Sequence, residues 1–186
     1  MEFITIDQWD EDVWEKWKVV YHEAFGSSNG KQKMVIRNMF FKKMCRFHYL
    51  MENGVIIAVA LSGILNGSNL LLIDYLAVSQ KVQGRGVGKK MMFEIKKWGS
   101  EHGFTGILIE VEAEETVENI RRIQFWKKCG FTETDYVHNY KIVPETYKAM
   151  YMTFYENAEL PDREEDFFLL LSNFHQKSFR GANQSI

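Results

Sequence analysis

The chain has 186 residues, 46% hydrophobic and 15% aromatic, enough apolar material for the core of one domain and too much for a disordered chain. Its 23 Lys and Arg stand against 25 Asp and Glu, and a net charge of -2 argues against a basic, nucleic-acid-coating surface. Two cysteines, Cys45 and Cys129, cannot build a multi-bridge framework and read as reduced thiols. The first seven residues lack the basic-then-apolar pattern of a secretory signal, and the longest apolar stretch, 55–65, is too short to span a bilayer. The expectation is a cytoplasmic, soluble protein that binds neither membrane nor nucleic acid.

Residues 3–6 read as a short strand. Trp9, Val13, Trp17, Val20, Tyr21 and Ala24 then recur at helical spacing, with Asp7 placed to cap the helix start. Residues 26–30 read as a loop and 32–45 as a second helix. The stretches 47–51 and 55–65 flank Asn53-Gly54, a pair suited to the positive φ angles of a type I′ turn, and so predict a hairpin. A turn at 66–69 leads into a strand over 70–78. Val87, Met91, Ile95 and Trp98 mark a helix that stops at Gly103. A strand at 107–111, a helix at 117–128, and strands at 131–137 and 147–155 follow.

Antiparallel strands followed by strand–helix–strand–helix–strand imply an α+β fold: a mixed sheet covered by helices. The crossover from 70–78 through one helix to 107–111 makes those strands parallel neighbours. Ligands of such sheets sit at the carboxyl ends of the parallel strands, where the next loop meets a helix N-terminus. Residues 157–186 read as a helical extension of a domain spanning 1–156. Pro161 and four acids open it, and Phe167, Leu170, Leu171 and Phe174 give it an apolar face. That face packs either on the domain or on a second subunit, in which case the chain is a homodimer.

The segment that carries chemistry is Leu76-Ala77-Val78-Ser79-Gln80-Lys81-Val82-Gln83-Gly84-Arg85-Gly86-Val87-Gly88-Lys89. Three alternating glycines lie between an apolar strand and an amphipathic helix. Glycine lets backbone N–H groups approach an anion closely, and the unpaired N–H groups of the following helix favour phosphate. Arg85 and Lys89 can add charge-assisted bonds. A dinucleotide fingerprint fails because Lys89 stands where its third glycine belongs, and a P-loop fails because Lys90 follows Gly88-Lys89.

Gln83-x-x-Gly86-x-Gly88 after Leu76-Ala77-Val78 resembles the pyrophosphate-binding signature of the GNAT superfamily of acyl-CoA-dependent N-acyltransferases. A second block, Phe125-Trp126-Lys127-Lys128-Cys129-Gly130-Phe131, resembles that family's Phe-Tyr-x-x-x-Gly-Phe helix ending, and the likeness covers roughly residues 47–156. The resemblance implies a largely antiparallel sheet of about seven strands with a central parallel pair, and acetyl-CoA as co-substrate. It also implies that Leu76, Ala77 and Val78 run beside pantetheine, with backbone groups of Leu76 and Val78 pairing to it. The Leu76 N–H would then face the thioester oxygen. Amides of Gln83, Gly84, Arg85, Gly86, Val87, Gly88 and Lys89 would hold the pyrophosphate. Asn119 stands seven residues before Trp126, where the family often has an Asn against the cofactor; the same residue also reads as part of a helix's first turn.

The chemistry so implied is attack of a primary amine, on a small molecule or a peptide, on a thioester. An alkyl amine with a pKa near that of lysine, about 10.4, must lose a proton first, so a base is needed. Asp74 is the first candidate: it interrupts an apolar strand two residues before Leu76 and hence on the same face. Glu110 and Glu112 share a face of the neighbouring strand and are the second; a solvated edge is their plainer explanation. Trp126 replaces the tyrosine that the family often uses to protonate the thiolate, and indole is no proton source. Either the thiolate leaves with hydrogen-bond help alone, or Tyr136, Tyr140 or Tyr151 serves instead. Glu110, Glu112, Glu114, Glu115 and Glu118 either steer a cationic amine or favour a helix N-terminus. Five scattered histidines lack metal-ligand spacing, so no metal is expected. A catalytically idle acyl-CoA sensor and a cofactor-free interaction domain are the rival readings.

Overall fold

Asn53 and Gly54 take φ angles of 52° and 78°, and Glu52 pairs with Val55 across them, as the Asn-Gly pair predicts. This turn joins β2 (Cys45–Glu52) to β3 (Val55–Ile64) in a computed structural model that describes residues 1–26, 30–141 and 143–181. The remaining elements are β1 (Glu2–Ile6), α1 (Glu11–Phe25), α2 (Lys33–Phe41), β4 (Leu70–Val78), α3 (Val87–Glu101), β5 (Gly106–Glu112), α4 (Val117–Lys128), β6 (Thr132–Glu133), β7 (His138–Asn139), β8 (Thr146–Thr153) and α5 (Asp166–Phe179). The loop read at 26–30 lies largely outside the described residues.

The sheet runs β1-β2-β3-β4-β5-β8-β6, with β7 also paired to β8. Every pairing is antiparallel except β4–β5, the expected central parallel pair. Both faces are covered. Trp17, Phe47, Leu72 and Leu171 belong to the cluster under α1, α2 and α5, while Met91, Ile95, Ile107 and Ile109 form the core under α3 and α4. Burial on both sides explains why β3 and β4 are almost continuously apolar.

Three local expectations are corrected. The cap of α1 is Asp10, whose carboxylate accepts the Val13 N–H at 3.0 Å; Asp7 lies a turn too early. The second helix stops at Phe41 rather than 45, because Lys43 takes a left-handed φ of 54° and turns the chain, so that buried Cys45 opens β2. Of the strand expected over 131–137 only the short β6 forms; β7 begins at His138, past its end. Between them the N–H groups of Asp135 and Tyr136 both donate to the Glu164 carboxylate at 2.8 Å instead of to β8.

Helix α5 packs on its own chain. Phe167, Phe168, Leu171 and Phe174 are all buried, and the Phe174 ring fills the notch left by Gly63, where a Cβ would come within 2.3 Å of it. Each such aromatic burial contributes about 2–3 kcal/mol. Among the described residues no helix is long and apolar enough to cross a membrane.

Candidate active site

Strands β4 and β5 run side by side for only three residue pairs, Leu70 with Gly106, Leu71 with Ile107 and Leu72 with Leu108. Beyond Leu72 they separate. The cause lies on the other edge of β4, where Leu61 pairs with Tyr75 but the next residue, Ser62, pairs with Ile73. Asp74 is thus the extra residue of a β-bulge, which bends and re-aims the strand. The bulge also shifts the alternation. Ile73 packs with the α3-side core, as do Leu76 and Val78, while Tyr75 and Ala77 pack with the α1 side. Asp74 and Leu76 are therefore not on one face, contrary to the two-residue rule applied to the sequence.

Past the bulge, the Ser79 N–H donates to the Ile57 carbonyl of β3 at 2.9 Å. Alternate residues of a strand direct their N–H and C=O to opposite edges, so those of Leu76 and Val78 point into the gap left by β5. The Gln83 side chain donates to the Val78 carbonyl at 3.2 Å and ties the glycine loop to the end of β4.

In that loop Gly84 and Gly86 both have φ of 77°, a conformation that other residues adopt only with strain, and Gly86 is the N-cap of α3. The first helical bond of α3 is Lys90 N–H to Gly86 C=O. Among the described residues the N–H groups of Gly84, Gly86, Val87, Gly88 and Lys89 have no backbone acceptor. Gly88 is needed for space: a Cβ there would sit 3.1 Å from the Phe125 ring of α4. The result is a row of unpaired donors at a helix N-terminus, beside an open strand edge.

Loop, gap and helices α3 and α4 enclose a cleft of about 1290 Å³, above the roughly 300–1,000 Å³ of ordinary small-molecule pockets. Leu76, Ala77, Val78, Gln83 and Gly84 line it, as do Gly86, Val87, Gly88 and Lys89. Asn119 and Trp126 line it from α4. Arg85 does not, and reaches Glu52 at 3.3 Å instead. Asn119 has structural work as well: its side chain donates to the Glu114 carbonyl at 3.1 Å and accepts from Arg122 at 3.3 Å. Arg121, Arg122 and Lys128 of α4 add positive charge to the lining. No sequence motif singles these cations out, because their placement depends on how α4 lies across the sheet.

The other end of the cleft is acidic and aromatic, lined by Phe25, Asp74, Tyr75, Glu110, Glu112 and Tyr147. Asp74 already has a partner. Both its oxygens bond to Lys31 Nζ, at 2.7 and 2.6 Å, with the two side chains only 5% and 4% exposed. Lys31 is fixed in turn: its N–H donates to the Tyr75 hydroxyl, its carbonyl accepts from Tyr21, and its ammonium lies 5.3 Å from the Tyr75 ring centre. Burial, followed by the Asp74 charge, pushes the Tyr75 phenol up to about 12. Glu112 reaches Arg122 at 3.7 Å.

Glu110 is different. Its Oε2 lies 3.4 Å from His175 Nε2, while its Oε1 is buried without a hydrogen-bond partner among the described residues. The buried Tyr140 hydroxyl beside it is likewise unpartnered, and burial together with the Glu110 charge raises its pKa. Lys31 and His175 were both missed by sequence reading. They lie 43 and 144 residues from the groups they meet at this end of the cleft, counting Lys31 to Asp74 and His175 to Lys31.

The sequence profile of the acetyltransferase (GNAT) family matches residues 6–131. No curated protein sequence matches the chain. Among solved structures, a GNAT-family protein from Bacteroides thetaiotaomicron superposes with a TM-score of 0.70 at 16% identity, over 95% of this chain and 97% of that one. The ribosomal-protein-S18-alanine N-acetyltransferase from Escherichia coli gives 0.62 at 16% identity, over 86% and 100%. An acetyltransferase from Bacillus subtilis, solved in complex with CoA, gives 0.58 at 11% identity, over 83% and 99%. At these identities the likeness is one of fold.

Proposed function

We propose that this chain, which belongs to the acetyltransferase (GNAT) family, transfers an acetyl group from acetyl-CoA to a primary amine by direct attack in a ternary complex. The observation that carries the reading is the set of unpaired amides of Gly84, Gly86, Val87, Gly88 and Lys89 beside the β4–β5 gap; the N–H groups of Gln83 and Arg85, expected from the sequence to join them, instead donate to the Gln80 and Val82 carbonyls. The unpaired donors suit a pyrophosphate, and Lys89 with the α4 cations suits the remaining phosphate charge. Leu76 and Val78 offer a strand edge to an extended chain carrying amides, as pantetheine does. CoA-bound family structures, such as the aminoglycoside 6'-N-acetyltransferase complex, are consistent with this use of the fold.

Acetyl-CoA supplies the thioester. The Leu76 N–H, directed into the gap, is placed to donate to the thioester oxygen as negative charge builds there. Glu110, which lines the cleft, accepts the proton that the ammonium must lose, directly or through water. The amine nitrogen then bonds to the carbonyl carbon, and the carbon–sulfur bond breaks with the electron pair leaving on sulfur. The second nitrogen proton passes, directly or through water, to the thiolate, giving the neutral amide and the CoA thiol. Asp74, the first candidate from sequence, serves here as the fixed partner of Lys31. The acidic, aromatic end of the cleft suits a cationic acceptor such as a small-molecule or peptide amine.

Assaying CoA release from acetyl-CoA against a panel of primary amines, with a thermal shift by acetyl-CoA alone, tests the proposal. Turnover on at least one amine supports it. One observation favours a second reading: Trp126 lines the cleft and, by the sequence resemblance, replaces a tyrosine that could protonate the sulfur, which its indole cannot. Thermal stabilisation by acetyl-CoA with no turnover on any amine would leave the chain an acyl-CoA-binding sensor.

A further inference from the structure

Asp74 is the one charged residue of β4, and the pairing with β3 passes over it, from Ile73 opposite Ser62 to Tyr75 opposite Leu61. The place of this bulge decides which groups face the cofactor end of the cleft, since moving it changes the register of every residue it passes. With the bulge at Asp74, Leu76 and Val78 present their N–H and C=O to the gap left by β5. Paired to β3 without it, Tyr75 and Ala77 would face the gap, and Leu76 and Val78 would turn to β3. The apolar side chains of β4 suit either register, because both faces of the sheet are buried.

Adjacent side chains of a regular strand point to opposite faces. Those of Asp74 and Tyr75 do not, because Lys31, two residues ahead of α2, holds both on the α1 side. Its ammonium bonds the two Asp74 oxygens at 2.7 and 2.6 Å, and its N–H donates to the Tyr75 hydroxyl at 3.1 Å. Its carbonyl accepts from the Tyr21 hydroxyl at 3.2 Å, which anchors it to α1. The Tyr75, Phe174 and Phe179 ring centres lie 5.3, 5.6 and 5.8 Å from the ammonium, and His175 Nδ1 lies 3.5 Å from it, so the pair is sheltered from water. Lys31 can make both contacts in the bulged register and not in the regular one.

We propose that Lys31 is a positioning residue for the cofactor: by holding Asp74 with its ammonium and Tyr75 with its N–H, it fixes the β4 bulge and keeps the Leu76 and Val78 edge turned into the gap. This rests on the reading that pantetheine occupies the gap. Lys31 does not itself line the cleft and acts through β4.

The test compares the full chain with the double variant Lys31→Met/Asp74→Asn, which lacks both charges and leaves neither stranded. Isothermal titration with CoA, and with adenosine 3′-phosphate 5′-diphosphate, its nucleotide half without pantetheine, reads the two ends of the cofactor separately. The double variant should bind CoA about tenfold more weakly, the order of one or two strand-edge hydrogen bonds. Its affinity for the nucleotide half should stay within about twofold. Hydrogen exchange of the ligand-free protein adds a readout that needs no cofactor. The Ser79 amide, bonded to Ile57 beyond the bulge, should exchange about tenfold faster relative to the Ile64 amide, bonded to Met44 at the other end of β3. Tyr75→Phe, which removes the acceptor of the Lys31 N–H and leaves the ion pair, should move both readings in the same direction by about threefold. A pair that served stability alone would speed both amides alike and weaken both ligands alike. Equal weakening of the two ligands, or an exchange ratio unchanged in both variants, would overturn the proposal. Should the unmodified chain bind no CoA, the cofactor reading fails, and the exchange ratio alone decides whether Lys31 fixes the bulge.

Discussion

The Asp74 carboxylate and the Lys31 ammonium meet at 2.6 Å in a setting where neither side chain is more than 5% exposed. Removing one partner of such a pair strands the other charge, at a cost of about 3–5 kcal/mol. Asp74→Asn should therefore lower stability by that order in a denaturant titration. The pH dependence of turnover, measured where the variant is folded, should keep its shape; a shifted acid limb would return Asp74 to the role of base.

Glu110→Gln should leave acetyl-CoA binding intact and lower kcat roughly 10²–10⁴-fold, the usual contribution of a general base. Glu112 shares its face but turns to Arg122. Steady-state kinetics of Glu112→Gln should show a change of less than about threefold.

Gly86→Glu should abolish CoA binding. A side chain at a φ of 77° costs about 1–2 kcal/mol of strain, and its carboxylate would repel phosphate at the mouth of the cradle. Isothermal titration with CoA reads the binding, and a melting curve shows the fold retained with a modestly lowered Tm.

His48 gives the fold its own pH dependence. Its ring bridges the Thr5 and Ser62 hydroxyls, each at 2.8 Å, and burial depresses its pKa to about 3. The unfolded chain, with a histidine pKa near 6.5, takes up a proton that the folded chain refuses. Stability is therefore full above that value and falls as pH drops from about 6.5 toward 3, by up to about 1.4 kcal/mol per unit. Denaturant titrations from pH 7.5 to 4.5 should show this slope, and His48→Gln, which can keep a hydrogen bond without titrating, should flatten it.

The glycine loop was legible in the sequence because its chemistry is local. Gly84, Gly86 and Gly88 do their work within a few residues of one another, and the apolar strand and amphipathic helix around them carry their own periodicities. Asn53-Gly54 was readable for the same reason. Asp74 was misread because a bulge adds one residue to β4 and flips the alternation after it, and a bulge is set by pairing with β3. Lys31, His175 and the α4 cations gain their roles from contacts across the fold, which no local pattern records. The tail shows both sides: its apolar face was plain, whereas its packing on Gly63 depended on a notch more than a hundred residues away.

The central claim is that the amides of Gly84, Gly86, Val87, Gly88 and Lys89 hold the pyrophosphate of coenzyme A beside an open edge of β4. Adding CoA to nitrogen-15-labelled protein and following the backbone amide resonances tests it directly. The account predicts that the largest shifts fall on Gly84, Gly86, Val87, Gly88 and Lys89, with a second set on Leu76 and Val78. Saturating CoA that leaves these resonances unmoved would contradict it.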